Sequence, residues 1–242
     1  MQPEEFAAMV AADEEHWWYR GRRAVLSAVL DRLPVPGPWS SLDAGCGSGR
    51  TLDLLTAYGD VAGVEMNPMG VDFARGRGHA RVAEGVVEEI PYDDGEFDVV
   101  TCLDVLEHTT DDVVALRELR RVLKPGGRLV VTVPAYMSLW GPHDVVNQHH
   151  RRYTRRTMTT AARAAGFEVQ RDTYFNSILL PPAAAVRWAK RVLPEPDEHA
   201  SELDATPKAL NALLERPMHA EAAVIAGGRR LPAGLSFLGV FR

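Results

Sequence analysis

Apolar positions change their period several times along the chain. Over 97–103 (FDVVTCL) and 128–133 they run almost unbroken, as in strands buried on both faces. Between these runs Val113, Leu116, Leu119, Val122 and Leu123 recur three and four apart, which predicts a helix over 111–123. Pro125-Gly126-Gly127 stops it. The same alternation starts earlier. It predicts a strand at 41–44, a helix at 50–57 closed near Gly59, a strand at 61–65, a helix opening at Pro68 and a strand at 82–87. Ahead of these, residues 4–33 read as helical with a break near Gly21, and the proline run 34–38 ends that segment. Beyond 133 the pattern predicts a helix at 157–165, a strand at 167–175, a proline-interrupted helical stretch at 177–227 and a closing strand at 235–241. Strands and helices alternating in this way indicate an α/β fold with a parallel sheet and crossover helices. We read a single domain: a helical cap at 1–38, a core at 39–176, a helical lid or insertion at 177–234 and the last strand at 235–242.

Composition narrows the class. The chain has 242 residues, 46% of them hydrophobic and 25% charged, which excludes a disordered chain. The net charge is −6, which argues against a nucleic-acid partner. Cys46 and Cys102 are too few for a disulfide framework and suit a reducing compartment, so a cytoplasmic location is expected. The proline-broken apolar stretch 174–186 is too short to span a membrane. Of the 27 basic residues only Lys124, Lys190 and Lys208 are lysine, an excess of arginine best explained by GC-rich codons.

The chemistry-bearing motif is Asp43-Ala44-Gly45-Cys46-Gly47-Ser48-Gly49, placed between a strand and a helix. Glycines there permit tight turning and close approach of a ligand to backbone N–H groups at a helix start. A dinucleotide fingerprint would require a glycine at position 50, where this chain has Arg50. Glu65 ends the next strand and suits ribose hydroxyls. The loop therefore points to a nucleoside without a pyrophosphate.

The D-x-G-x-G-x-G run followed by an acidic strand end resembles motif I of class I S-adenosylmethionine-dependent methyltransferases. Three further segments are similar to that family: Ile90-Pro91-Tyr92 with Asp94-Gly95 and Phe97-Asp98-Val99-Val100; Leu103-Asp104-Val105-Leu106-Glu107-His108; and Leu123-Lys124-Pro125-Gly126-Gly127-Arg128-Leu129. His16 to Arg23 is similar to an N-terminal segment of small type-11-like bacterial methyltransferases. The resemblance implies a Rossmann-like seven-stranded sheet, helices on both faces and an antiparallel last strand. S-adenosyl-L-methionine is the implied cofactor and S-adenosyl-L-homocysteine its product. It also implies cofactor-binding roles: Gly45, Cys46, Gly47 and Gly49 at the methionine part, Glu65 at the ribose, Met66 and backbone near Val87 at the adenine, with Glu88 as a substitute there for the family's aspartate. Leu103 and His108 would line the other side, and Tyr19 and Arg22 would cover the pocket, the arginine on the methionine carboxylate.

Methyl transfer to an oxygen of high pKa needs positioning and a base. The segment after the fifth strand, where the family builds its acceptor site, offers His143 and His149 as bases and Asp144 as an orienting group. Trp18, Asp104, Trp140, Arg152 and Tyr153 are candidates for the acceptor wall. Asp104, Glu107 and His108 could instead hold magnesium, although the primary reading assigns no metal. The expected activity is O-methylation of a small molecule such as a natural product, sugar or lipid-linked acceptor. C-methylation or a cyclisation on the same fold is the alternative. A monomer or homodimer with no nucleic-acid partner and no transmembrane segment is expected. An amphipathic 178–192 stretch leaves room for peripheral membrane contact.

Overall fold

The computed structural model describes residues 10, 13, 16–192 and 208–242. The first helix described end to end, α1 (Trp17–Leu30), is capped by the His16 ring, whose Nδ1 accepts from the Trp18 amide. Then follow β1 (Trp39–Ala44), α2 (Arg50–Leu55), β2 (Gly59–Glu65), α3 (Pro68–Gly76), β3 (Val82–Glu84) and β4 (Phe97–Leu103). After them come α4 (Asp112–Arg121), β5 (Leu123–Pro134), a short α5 (Pro142–Val146), α6 (Arg155–Ala164) and β6 (Val169–Phe175). The chain closes with α7 (Leu180–Val192), α8 (Lys208–Ala226) and β7 (Ser236–Phe241). Single-turn 3-10 helices at Leu106–His108 and Met137–Leu139 follow β4 and β5.

The starts of the crossover helices are chemically marked. Asn67 accepts from the Met69 amide with Pro68 in the first turn, and Asp111 accepts from Val113 and Val114. The strands form one seven-stranded sheet in the order β3-β2-β1-β4-β5-β7-β6. β1 pairs in parallel with β2 and β4, and β4 with β5, while β7 is inserted antiparallel between β5 and β6. Leu116 and Leu119 of α4 and Met158 and Ala162 of α6 pack with Leu42, Val100 and Val131 on one face. Leu26 and Val29 of α1 and Met218 and Ile225 of α8 pack with Val99, Val130 and Leu238 on the other. The sequence expectation of a seven-stranded sheet with helices on both faces and an antiparallel last strand is met.

Several local expectations are corrected. Gly21 does not break the first helix. It lies buried inside α1, and a Cβ there would stand 2.6 Å from the Met218 Cβ, so the missing side chain seats α8. The third strand stops at Glu84, leaving Val86 and Glu89 in an isolated bridge. The strand predicted from Arg128 begins at Leu123, because a register shift between Phe97 and Val99 absorbs the Pro-Gly-Gly turn. The parts of the predicted helices at 4–9, 11–12, 14–15 and 193–207 lie outside the described residues. No described helix is long and apolar enough to cross a membrane.

The connectivity sets the site. From β1 the chain moves outward through β2 and β3, then returns to place β4 on the other side of β1. The order reverses between β1 and β4, and a crevice outside their carboxyl ends is where such sheets bind ligands.

Candidate active site

The β1 lip of the crevice is the glycine loop. Gly45, Gly47 and Gly49 have φ of 82°, 52° and 84°, left-handed values that strain other residues. At Gly45 a Cβ would also meet Val105 at 2.4 Å, whereas at Gly47 it would meet nothing within 4 Å. The backbone of Gly47 thus faces open space that a ligand can enter. Glu65 accepts from the Gly47 amide at 2.8 Å and from the Asn67 amide at 2.9 Å. Each carboxylate oxygen has a further lone pair for hydroxyls. The Cys46 thiol turns away into the core against Gly63 and Leu52, and burial raises its pKa, so only its backbone can line the site.

Beneath the loop, Asp43 is 1% exposed. Its Oδ1 accepts from Thr101 Oγ1 at 2.6 Å, and its Oδ2 has no partner. Burial pushes its pKa up to about 7, against the opposing pull of the Thr101 hydrogen bond and the Arg22 charge. The sequence reading did not include Asp43 among the site residues, although it opens the motif itself.

The β4 lip carries Asp104, held at a left-handed φ of 56°. Arg22 Nη1 donates to Asp104 Oδ2 at 2.7 Å, and the guanidinium lies 5.5 Å from the Tyr19 ring centre. Arg22 and Tyr19 are thereby brought to the β4 lip, and Arg22 Nε is a buried donor without a partner. Asp104, a candidate for the acceptor wall, is engaged by Arg22 through Oδ2 and stays partly exposed. Leu103, 7% exposed, ends β4. Val87 is buried in the core, so its side chain is not at the surface, and Glu88 beside it is half-buried. Met66 is 70% exposed.

Next to this lip stands a polar cluster. Asp144, fully buried, accepts from His149 Nδ1 at 2.9 Å, from Arg152 Nε at 2.7 Å and from the Gly141 amide at 2.8 Å. Burial alone would raise its pKa, but the His149 and Arg152 hydrogen bonds prevail and hold it well below the usual carboxylate range. An ionised carboxylate only accepts, so His149 Nδ1 carries the proton and Nε2 is left as the basic nitrogen. The His149 ring meets His108 edge-on at 4.6 Å and His143 at 5.9 Å. His143 contacts Asn147 rather than Asp144. His108 has an exposed edge, yet loss of hydration, then the neighbouring His149, lower its pKa.

Two acceptor-wall assignments are corrected. Arg152 is buried and engaged by Asp144 and the Ala135 carbonyl, so it supports the histidine instead of binding an acceptor. Tyr153 is 2% exposed and donates to Asp112 Oδ2 at 2.9 Å, bracing the first turn of α4. Trp18 stacks on Phe175 at 5.7 Å, and Trp140 is half-buried.

The metal candidates also shift. The ligand atoms that converge within 4.8 Å belong to Glu107, His108 and His149, while Asp104 is committed to Arg22. Glu107 is 1% exposed with Oε2 unpartnered, and burial followed by the Asp104 charge raises its pKa well above normal.

A sheet of this order, with a glycine loop after β1, a carboxylate ending β2 and polar groups on the lip of β4, is the arrangement of the class I S-adenosylmethionine-dependent methyltransferase fold. The cofactor suits this crevice. Gly47 leaves room for it, Glu65 offers lone pairs to ribose hydroxyls, and the unpaired Asp43 Oδ2 and Arg22 Nε await charged groups. Comparison with known proteins points the same way: residues 42–131 match the family described as methyltransferase domain. A probable S-adenosylmethionine-dependent methyltransferase of Mycolicibacterium smegmatis is 30% identical over 65% of this chain and 62% of its own length. A ubiquinone biosynthesis O-methyltransferase of Pseudomonas paraeruginosa is 35% identical over 48% of this chain and 56% of its own. The chain spans between 36% and 62% of the first curated relatives it matches. Among solved structures, a methyltransferase of Haloferax volcanii in complex with its activator Trm112 superposes with a TM-score of 0.64 at 20% identity, covering 98% of this chain and 93% of that one. The cyclase SpnF superposes with a TM-score of 0.58 at 24% identity, covering 92% and 80%.

Proposed function

We propose that this chain transfers a methyl group from S-adenosylmethionine to a hydroxyl oxygen of a small-molecule acceptor, with His149 as general base. The observation that carries the reading is the Asp144–His149 pair beside the crevice. Asp144 fixes the ring and its tautomer, and Arg152 keeps Asp144 ionised. Nε2 of His149 would take the proton of the acceptor hydroxyl, and the methyl group would pass to that oxygen as its bond to the sulfonium breaks and S-adenosylhomocysteine leaves. The cofactor, when bound, supplies the electrophilic methyl group. The crevice, Tyr19 and Arg22 hold it, and the acceptor approaches from the His149 side. The His143 ring stands 5.9 Å from that of His149. The net charge of −6 favours a small acceptor over a polynucleotide, and the O-methyltransferase name of the Pseudomonas relative points the same way.

The test is turnover with labelled S-adenosylmethionine against phenolic, sugar and lipid-linked alcohols. With an acceptor in hand, His149→Ala is expected to lower kcat by about 10²–10⁴. Its affinity for S-adenosylhomocysteine should stay as in the parent protein. Full activity in this variant removes His149 as the base. A second reading has its own observation, the convergence of Glu107, His108 and His149. Turnover abolished by EDTA and restored by magnesium would establish a metal-assisted reaction instead.

A further inference from the structure

Consecutive residues of α1 serve opposite lips of the crevice. Arg22 reaches the β4 side through Asp104. Arg23 Nη1 donates at 2.7 Å to Asp13 Oδ1, and the other oxygen of Asp13 accepts from Ser48 Oγ at 2.9 Å. Ser48 lies inside the glycine loop, between Gly47 and Gly49, and is 3% exposed. Its carbonyl accepts from Arg77 Nε at 3.0 Å, so the loop is braced from α3 as well. Asp13 itself is buried. A single carboxylate thus ties α1 to the loop that would cradle the cofactor, through hydrogen bonds strengthened by its charge.

We propose that Asp13 is a positioning residue for the cofactor: by bridging Arg23 and Ser48 it clamps α1 onto the glycine loop and sets how long the nucleoside stays in the crevice. The proposal rests on the assignment of the crevice to S-adenosylmethionine. A ligand seated between the β1 and β4 ends lies under α1, which is fastened on both sides. It exchanges only when one fastening opens. The Asp13 fastening joins Arg23 of the helix and Ser48 of the loop through one side chain, so its loss unties the helix from the loop. Arg22 keeps its own partner, Asp104, when Asp13 is changed.

The experiment is stopped-flow release and uptake of S-adenosylhomocysteine by the full chain, read by the fluorescence of Trp17 and Trp18. Asp13→Asn is expected to raise the dissociation rate constant about tenfold, equivalent to about 1.4 kcal/mol. Ser48→Ala, which removes only the hydroxyl, should raise it at least roughly threefold. Asp13→Glu, which keeps the carboxylate, should recover part of the effect. Glu215→Gln removes a carboxylate that ties Arg20 of α1 to α8, away from the loop, and should leave the rate as in the parent protein. A merely structural role would lower the melting temperature of Asp13→Asn while leaving the release rate as it was. Unchanged release in both Asp13→Asn and Ser48→Ala overturns the clamp, as does an equal rise in Glu215→Gln. Should Asp13→Asn fail to fold, Ser48→Ala decides alone. A parent protein that binds no S-adenosylhomocysteine defeats the cofactor assignment itself, an outcome distinct from failure of the clamp.

Discussion

Burial leaves the Asp43 carboxyl with a hydroxyl donor at 2.6 Å and an Oδ2 that has no partner. Its pKa of about 7 stands well above the ordinary 3.8. The folded chain therefore holds this proton at pH values where the unfolded chain has released it. Stability falls as pH rises from about 4 to about 7, and above that the full cost is about 4 kcal/mol. Asp43→Asn keeps an acceptor for Thr101 and removes the titration. The difference between thermal melts at pH 5 and pH 8 should change on going from the parent protein to the variant by the part that Asp43 contributes, Glu107 and His108 titrating in both; the same difference in the two proteins would refute the raised pKa. Asp144 has the opposite sign. Its folded pKa is depressed, so its contribution is present above about pH 4 and is lost as pH falls into the acid range. Because Asp144 and Arg152 are both buried, removing either leaves an uncompensated charge. Arg152→Ala and Asp144→Ala should each cost about 3–5 kcal/mol in urea unfolding. The double variant should cost clearly less than their sum. Additive losses would mean that the pair does not act as one unit.

At the scale of elements, α1 and α8 meet at Gly21. Alanine is the better helix former by about 0.8–1 kcal/mol, yet its Cβ would press on Met218 at 2.6 Å. Overpacking of this kind costs about 1–3 kcal/mol. Gly21→Ala should thus be destabilising despite its propensity, and Met218→Ala in the same chain should relieve part of the loss, a coupling that a double-mutant cycle measures. A stabilised Gly21→Ala single variant would show that the helices part easily. The same contact explains why the helix break was expected and is absent: a glycine's local cost is visible in sequence, whereas its partner is nearly 200 positions away. Strands β4 and β5 were legible because burial on both faces makes them unbroken apolar runs. The glycine loop was legible because its backbone demands are local. The acceptor side was legible only in part. His149 and Asp144 lie five residues apart and their pairing could be anticipated. Arg152 and Tyr153 look like surface groups until the fold brings Asp144 and Asp112 against them. The unpaired Oε2 of Glu107 left no sequence signal, since burial of that turn depends on the whole sheet.

Over the whole molecule, the crevice is a junction between parts distant in the chain: α1, the loop after β1, the end of β2 and the lip of β4. Arg22 and Asp104 join across 82 positions, and Asp13 and Ser48 across 35. A ligand that touches all of these stabilises the native state by mass action, because the unfolded chain presents no such assembly. At a concentration one hundred times its Kd, S-adenosylhomocysteine should add about 2.7 kcal/mol. For a chain of this size each kcal/mol moves the melting temperature by about 2–4 °C. The expected rise is therefore about 5–10 °C, growing with the logarithm of ligand concentration. Asp13→Asn offers a sharper form of the measurement. If the clamp speeds or slows exchange without altering Kd, the variant should show the same rise at matched ligand concentration as the parent protein. If the clamp also strengthens binding, the rise should shrink in proportion to RT ln of the change in Kd. Scanning fluorimetry of the two proteins across a range of S-adenosylhomocysteine concentrations separates these cases. A melting temperature that does not move at millimolar ligand would contradict the placement of the cofactor at this junction.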